Sequence, residues 1–432
     1  MEAKAIKPKT ALSGRRLFGY PVRLLIGLLA ILIFMAGDGV EQAFLSKYMV
    51  DLGFSIDQSA LVFSIYGITL ALGSWLAGVL SEAYGPRRIM LAGLVIWVLF
   101  EIGFLVFGLG QQNLLMILLM YGIRGFGYPL FAFAFIVWVA YITEEHKLAT
   151  AMGWFFFMFS GGIGFLGAFY PSIVIDVFGY MGTLWSSLIW IILGGVIGIL
   201  AVDDKDIDGN PIGGKDSRQT ISVLSKGITI LWKRPKVAAG GILRTINTSA
   251  WYGYVVILPV FFTSVLQFET SQWLLIWSVC SLSNMVFNVI WGMIGDKVGW
   301  LFVVRWFGCV GSAIACVVFY YVPLAYGNHF GVAMGVAVFF GCAIAAFTPL
   351  SAILPSLAPE DKGVAMSILN LGAGLSSFVG PVIVGVANAA FGMEGVAWAF
   401  GILYLTSFAL TPMLKTDAQV QSKSAGRTAI AR

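Results

Sequence analysis

Charged residues, histidine and cysteine are scarce in this chain. Only 11% of its 432 residues are Asp, Glu, Lys or Arg, whereas soluble domains carry about 25%. Its two histidines, His146 and His329, lie far apart. Its four cysteines have neither zinc-ligand spacing nor the pattern of a disulfide framework. These shortages argue against an enzyme, and we expect no metal and no cofactor.

Apolar side chains are abundant instead. They make up 59% of the chain, against roughly 45–50% in soluble domains, and the mean hydropathy is +0.91. An apolar run of about 20 residues can cross a bilayer as a helix. The sequence therefore predicts an all-α integral membrane protein with twelve spans. The predicted spans are 23–48, 58–81, 89–109, 112–141, 147–171, 181–202, 236–266, 272–295, 301–322, 327–354, 363–390 and 394–414.

Lys and Arg residues predict the orientation, because they concentrate in cytoplasmic loops. They cluster before the first span and again at Arg87 and Arg88, while the opposite loops hold acids such as Asp176 and Glu394. Both termini are predicted to face the cytoplasm of a bacterial inner membrane. The predicted segments are an N-terminal stretch (1–22), an N-terminal six-helix bundle (23–202), a cytoplasmic linker (203–235), a C-terminal six-helix bundle (236–415) and a cytoplasmic tail (416–432).

The two predicted bundles share short motifs at one spacing. Gly292 lies 214 positions after Gly78, and Asp296 lies 214 positions after Glu82. Repeated halves are typical of alternating-access transporters, in which two bundles rock about a site near the middle of the membrane.

Short motifs in the sequence resemble those of a known superfamily and of one narrower family within it. "GVLSEAYGPRR" (78–88) resembles the loop signature of the major facilitator superfamily, and "GMIGDKVGWLF" (292–302) is a second copy without the basic tail. "GDGVEQAFLSKY" (37–48), "YGIRGFGYPLF" (121–131) and "MGTLW" (181–185) resemble the polyol permease family. This resemblance implies two pseudo-symmetric six-helix bundles. It also implies a monomeric carrier that imports an alditol, such as ribitol or D-arabinitol, by proton symport.

Five charged residues lie deep in the predicted spans, where charges are costly and are usually functional: Asp38, Glu41, Glu101, Arg124 and Arg244. A helical rise of ~1.5 Å per residue gives Asp38, Glu41, Glu101 and Arg124 similar depths. We predict that Asp38 is the proton-coupling carboxylate and that Arg124 is its partner, with Glu41 and Glu101 as alternatives. A permanent ion pair that only joins two spans is the structural alternative.

Neutral polar and aromatic side chains within the spans are predicted to bind the substrate hydroxyls. These residues are Gln42, Tyr121, Tyr128, Asn247, Trp251, Tyr252, Asn284, Asn288 and Asn370. The alternative role for each is a hydrogen bond between helices or an aromatic anchor at the membrane interface. The predicted gating residues are Glu82, Arg87, Arg88, Asp296 and Arg244.

Other transport functions stay open at this point. A carrier for another sugar, or for an organic anion such as 2-oxoglutarate, would use the same fold. The anion would call for two or more cations, and Arg124 and Arg244 are the candidates, although buried acids outnumber them. A drug exporter is disfavoured because "SGGIGFLGAFYP" (160–171) lacks the Gly-Pro pair common in such exporters. A sensor would carry a signalling domain, and the sequence shows none.

Overall fold

The computed structural model describes residues 16–17, 20–143, 145–205, 210–212, 232, 234–358 and 362–415. Most of the predicted N-terminal stretch and linker, and the predicted tail, lie outside these residues.

The two short strands pair antiparallel, and the remaining elements are helical. The elements are β1 (Arg16–Leu17), β2 (Tyr20–Pro21), α1 (Val22–Gly39), α2 (Leu45–Asp51), α3 (Ile56–Tyr84), α4 (Pro86–Gly103), α5 (Leu114–Arg124), α6 (Gly127–Ile142), α7 (Glu145–Ser160), α8 (Gly167–Ala201), α9 (Pro235–Val260), α10 (Thr270–Val298), α11 (Trp300–Val303), α12 (Gly311–Tyr326), α13 (Phe330–Ala345), α14 (Leu350–Leu357) and α15 (Lys362–Leu410). Four π-helical turns and a final 3₁₀ turn extend or join them: Phe104–Leu109, Gly161–Leu166, Phe261–Val265, Val304–Val310 and Thr411–Leu414.

Ten helical segments in the described ranges are long and apolar enough to cross a membrane. Two of them, Ala151–Ala201 and Ile368–Leu414, hold 51 and 47 residues, about twice what one crossing needs. Each changes direction at a glycine with positive φ, Gly179 at 64° and Gly392 at 68°, a conformation that other residues rarely adopt. Dividing the two segments there gives twelve crossings. The predicted all-α membrane fold is confirmed.

Two spans are broken near their middle. Helix α1 ends at Gly39 and α2 begins at Leu45, so the predicted span 23–48 is not one continuous helix. Helix α5 ends at Arg124, and α6 begins at Gly127. Irregular backbone at this depth is tolerated where it is buried in protein or lines a cavity. Both breaks lie beside the site described below.

Residues 22–205 are called here the N-terminal half and residues 234–415 the C-terminal half. Each half begins and ends on one side. Arg23 Nη1 pairs with Asp203 Oδ2 at 2.7 Å, and Lys236 Nζ donates to the Lys415 carbonyl at 3.1 Å. This side is called the linker side, and the opposite one the loop side. The division into two functional bundles stays a prediction.

Hydrogen bonds join the halves on the loop side. Trp273 Nε1 donates to the Ala43 carbonyl at 2.6 Å, and Ser46 donates to the Val256 carbonyl. The hydroxyls of Tyr180 and Thr270 lie 2.8 Å apart. These contacts close the space between the halves at the loop side.

Candidate functional site

A cluster of charged side chains is buried in the N-terminal half. Asp38, Glu41, Glu101 and Arg124 are each at most 2% exposed. Arg124 grips Glu41 at two points: Nη1 donates to Oε2 at 2.8 Å, and Nη2 donates to Oε1. Nη1 also donates to Glu101 Oε2. A planar guanidinium suits such bidentate binding of a carboxylate. The structure thus brings together the four residues that the sequence singled out.

The ion pairing differs from the predicted one. Asp38 Oδ1 accepts a hydrogen bond from Trp97 Nε1 at 2.6 Å, and among the described residues Arg124 pairs with Glu41 and Glu101. The predicted pair of Asp38 and Arg124 is wrong for this conformation. The cause is the end of helix α1, because the turn that follows Gly39 directs Glu41 rather than Asp38 at the guanidinium.

Aromatic rings surround the guanidinium. Arg124 Cζ lies 4.5 Å from the ring centroid of Tyr121, 4.7 Å from that of Trp97 and 5.5 Å from that of Tyr66. Such contacts stabilise a desolvated cation. Tyr121 was predicted to bind substrate, but it is 1% exposed and belongs to this cluster. Its position three residues before Arg124 places both on one helix face.

The cluster contains unpaired polar atoms. Within the described part of the chain, Asp38 Oδ2, Glu101 Oε1, Tyr121 Oη and Arg124 Nε are buried without a hydrogen-bond partner. The cluster contains three carboxyl groups and one guanidinium, which pairs with Glu41 and Glu101, so the charges do not balance when all are ionised. A buried group without compensation is neutralised rather than kept charged. The cluster therefore holds more carboxyl groups than its one guanidinium can compensate.

A cavity of about 450 Å³ lies between the two halves. It extends from the closed loop side toward the linker side. Eight of the nine predicted substrate residues line it: Gln42, Tyr128, Asn247, Trp251, Tyr252, Asn284, Asn288 and Asn370. Arg244, predicted as a gating residue, also lines it. The wall therefore combines amides, hydroxyls and aromatic faces with one guanidinium.

The amides on α10 form an ordered ladder along the cavity. Asn288 Nδ2 donates to Asn284 Oδ1 at 3.0 Å, and Asn284 Nδ2 donates to the Gly341 carbonyl at 3.1 Å. The hydroxyl of Thr348 donates to Asn288 Oδ1. Amide and hydroxyl groups both donate and accept hydrogen bonds. A ladder fixed in this way suits a ligand with several hydroxyl groups.

Tryptophan rings form another part of the cavity wall. The ring centroids of Trp251 and Trp277 lie 4.8 Å apart, and Phe340 stacks behind Trp251 at 6.3 Å. Aromatic faces supply a large, rigid contact area. This wall can cover the carbon chain of a ligand whose polar groups face the amide ladder.

Several residues of the site were missed in the sequence. Trp97 lies four positions before Glu101, on the same helix face, and this spacing was an available signal. Trp277 and Thr348 line the cavity, but their apolar surroundings gave no signal that set them apart. Thr248 also lines it and lies four positions after Arg244, so its spacing was readable.

The predicted gating residues lie mostly at the linker side. Asp296 Oδ1 accepts from Trp300 Nε1 at 2.7 Å, and the backbone N–H of Arg87 donates to Asp204 Oδ1 at 2.9 Å. Arg88 is exposed, and Glu82 is half-buried at the end of α3. Asp296 and Arg87 thus bond within their own halves, and gating by these residues stays a prediction.

Two short segments connect the charged cluster to the cavity. Glu41 lies in the cluster, while the adjacent Gln42 lines the cavity. Arg124 lies in the cluster, and Tyr128, four residues later, lines the cavity. The backbone therefore joins the charged cluster to the cavity wall at two places.

Comparison with protein families gives one match across most of the chain. The model described as "Major Facilitator Superfamily" matches residues 26–358 and 304–429.

Three bacterial relatives match nearly the full length of the chain. A D-arabinitol transporter of Klebsiella pneumoniae is 40% identical over 94% of this chain and 96% of its own length. A ribitol transporter of the same organism is 39% identical over 94% and 95%. An alpha-ketoglutarate permease of Bacillus subtilis (strain 168) is 41% identical over 93% and 91%.

Solved structures support the same fold. A D-xylose-proton symporter superposes with a TM-score of 0.69 at 16% identity, covering 90% of this chain and 96% of its own. A nucleoside transporter superposes with a TM-score of 0.68, also at 16% identity, covering 91% and 98%.

Proposed function

The chain belongs to the Major Facilitator Superfamily and is a multi-pass membrane transporter rather than an enzyme, and we propose that it imports an alditol by proton symport. The alditol is a pentitol such as ribitol or D-arabinitol. The observation that carries this proposal is the cavity between the halves, whose wall is neutral apart from Arg244 and combines amides and hydroxyls with aromatic and aliphatic side chains. An alditol presents hydroxyl groups and C–H faces, which match such a wall.

The relatives support the same substrate class. Two of them are named for pentitols and share about two fifths of their residues with this chain over nearly its full length. The size of the cavity is also suitable, because about 450 Å³ lies within the usual range for small-molecule sites, about 300–1,000 Å³.

The buried cluster is the proposed site of proton coupling. Asp38 has one unpaired carboxyl oxygen and no described cationic partner, while Arg124 already holds Glu41 and Glu101. We propose that Asp38 carries the transported proton, and that movement of the halves changes its surroundings. Glu41 and Glu101 are the alternatives, since a rearranged Arg124 would release one of them.

The conformation described here is proposed to be open to the cytoplasm. This follows if the linker side, which carries the basic residues Arg87 and Arg88, is cytoplasmic. Cysteine labelling from outside intact cells should then reach position 176 and miss position 210. Labelling of position 210 in sealed cells would reverse the orientation.

The substrate proposal is tested by a thermal-shift panel on purified protein. The panel contains ribitol, D-arabinitol, the matching aldopentoses and 2-oxoglutarate. Stabilisation by a pentitol at low millimolar concentration is the expected result, because a ligand that binds only the folded state raises its stability by mass action. A panel in which the pentitols have no effect and another ligand stabilises the protein would reject the alditol.

An organic anion is the second candidate, and two observations favour it. Arg244 lines the cavity, and one relative is named an alpha-ketoglutarate permease. Stabilisation by 2-oxoglutarate in the same panel would support this candidate.

A further inference from the structure

Arg244 differs from every other described residue that lines the cavity, because it alone is charged. Arg124, the other arginine deep in the spans, is enclosed by two carboxylates. Arg244 forms no ion pair with a carboxylate of the described chain. A guanidinium that faces a cavity without a counter-ion is a binding group for an anion.

The contacts of Arg244 fix one edge of its guanidinium. Nη1 donates to the Thr248 hydroxyl at 3.1 Å. The Asn247 amide is assigned the orientation that satisfies both of its polar atoms: its nitrogen then donates to the Ile344 carbonyl at 3.2 Å, and its oxygen accepts from Arg244 Nη1 at 3.1 Å. The aliphatic part of the Arg244 side chain packs closely against Gly372: a Cβ added at Gly372 would lie only 3.1 Å from Arg244 Cβ.

The other edge of the guanidinium is free. Nε and Nη2 of Arg244 have no hydrogen-bond partner in the described chain, and neither is among its buried unpaired atoms. These two nitrogens form the fork that binds a carboxylate at two points. The side chain is therefore held by one edge and presents the other to the cavity.

From this arrangement we infer that the cavity also accepts a polyhydroxy monocarboxylate, such as the aldonate of a pentose, with its carboxylate on Arg244. The hydroxyl groups of the aldonate face the ladder of Asn284, Asn288 and Thr348, as those of an alditol would. This inference rests on the proposed function of the same cavity, and it adds a second class of substrate.

The charges in the cavity favour this anion over a dicarboxylate. A dicarboxylate has a second carboxylate that needs its own cation, and the described lining supplies only Arg244. Arg124 is not available, because it is buried at 1% exposure against Glu41 and Glu101. An unpaired buried charge is expensive, whereas the hydroxyls of an aldonate find amide partners.

The test is a comparison of binding constants on the purified full chain. Ribitol, ribonate and 2-oxoglutarate are titrated into the parent, Arg244→Gln, Arg244→Lys and a control, Arg305→Gln. Arg305 lies against the Phe408 ring, outside the cavity.

Ribonate should bind the parent more tightly than 2-oxoglutarate does. In Arg244→Gln, the ribonate affinity should fall at least tenfold relative to the ribitol affinity. Arg244→Lys should lose part of that preference, since it keeps the charge without the fork, and the control should keep it all.

The outcomes separate this inference from the proposed function. Ribitol binding without ribonate binding to the parent would overturn the inference and leave alditol transport standing. Ribonate binding without ribitol binding would support the inference and reject the alditol. An unchanged ratio of the two affinities in Arg244→Gln would also overturn the inference, because Arg244 would then not hold the carboxylate.

Discussion

The two halves of the molecule share their helix ends but not their buried chemistry. Helix α3 begins with a reciprocal cap, in which Gln58 N donates to Ser55 Oγ at 3.1 Å and Ser55 N donates to Gln58 Oε1 at 2.8 Å. Helix α10 has the same kind of cap, built by Glu269 and Gln272. Each residue of this second cap lies 214 positions after its counterpart. The spacing of the repeated motifs is therefore also the spacing of equivalent structural features.

The buried charges have no counterparts at that spacing. The positions 214 residues after Asp38, Glu41 and Glu101 hold neutral or apolar side chains. They are Tyr252, Val255 and Ala315. The C-terminal half instead places the amides Asn247, Asn284, Asn288 and Asn370 along the cavity.

The two halves therefore carry different polar groups on a repeated scaffold: buried charges in the N-terminal half and cavity-lining amides in the C-terminal half. The N-terminal half keeps its charged groups sealed from the cavity, where low polarity strengthens their interaction. The C-terminal half supplies most of the polar groups that can meet a substrate. On the proposed function, binding and proton coupling are separable by mutation, and the predictions below test that separation.

The largest effect is expected from removing the enclosed arginine. Arg124→Leu leaves Glu41 and Glu101 without their cation, and breaking a buried pair from one side costs about 3–5 kcal/mol. Arg244→Leu, the matched change in the other half, leaves no carboxylate of the described chain unpaired. Thermal unfolding in detergent should show a large loss for the first variant and a small one for the second. Equal losses would refute the contrast between the two arginines.

The next effect concerns energy coupling. Asp38→Asn should abolish uphill uptake, because Asn cannot carry a proton, while it preserves the shape of the side chain and an acceptor for Trp97. A single proton moving through a potential of 100 mV supplies about 2.3 kcal/mol, so accumulation should fall from roughly fiftyfold to none. Labelled pentitol uptake and alkalinisation of a lightly buffered cell suspension measure both fluxes.

One control variant and one further assay make this coupling test specific. Asp176→Asn, an exposed acid outside the cluster, should retain accumulation and proton uptake. Exchange of pentitol down its gradient should persist in Asp38→Asn. If Asp38→Asn still concentrates pentitol and moves protons, the coupling role passes to Glu41 or Glu101.

A smaller effect is expected on binding in the C-terminal half. Asn288→Leu removes the central member of the amide ladder and leaves the Thr348 hydroxyl and the Asn284 oxygen without that partner. The pentitol then loses one or two hydrogen bonds to the ladder, at about 0.5–1.5 kcal/mol each, and its Kd should rise about tenfold. Tyr121→Phe serves as the contrast, since Tyr121 lies in the charged cluster. The Kd of this variant for pentitol should stay within twofold of the parent value. A larger shift for Tyr121→Phe than for Asn288→Leu would return Tyr121 to the substrate site.

The fold and the amide side chains that line the cavity could be predicted from the sequence for simple reasons. Apolar length defines the spans, and an amide inside a span such as Asn284 must find a polar partner or a cavity. The pairing within the cluster could not be predicted in the same way. Asp38 and Glu41 share a face only if the helix continues, and α1 ends at Gly39 for reasons of packing that hydropathy does not encode.

The position of Tyr121 illustrates the same limit. Its span is apolar, so composition gives no preference between the cavity and the bundle interior. The break between α5 and α6 after Arg124 decides the matter, because Tyr121 stays with Arg124 and Tyr128 turns toward the cavity. Helical depth placed the three carboxylates near Arg124, but only the three-dimensional break separated the two tyrosines.

The smallest predicted effect concerns the contact between the halves at the loop side. Trp273→Phe removes the hydrogen bond from Nε1 to the Ala43 carbonyl, which crosses between the halves. Trp291→Phe is the matched control on the same helix, because Trp291 Nε1 donates to the Cys342 carbonyl within the C-terminal half at 2.9 Å. One hydrogen bond is worth about 0.5–1.5 kcal/mol, so Trp273→Phe should shift the population toward the loop-side-open state by roughly two- to tenfold. Spin labels placed on the loop-side ends of α2 and α9 would report that population, and Trp291→Phe should leave it near the parent value because its bond is kept whichever side is open. An equal shift in both variants would mean that the tryptophans act through helix stability, and the contact between Trp273 and Ala43 would then not be part of the closure.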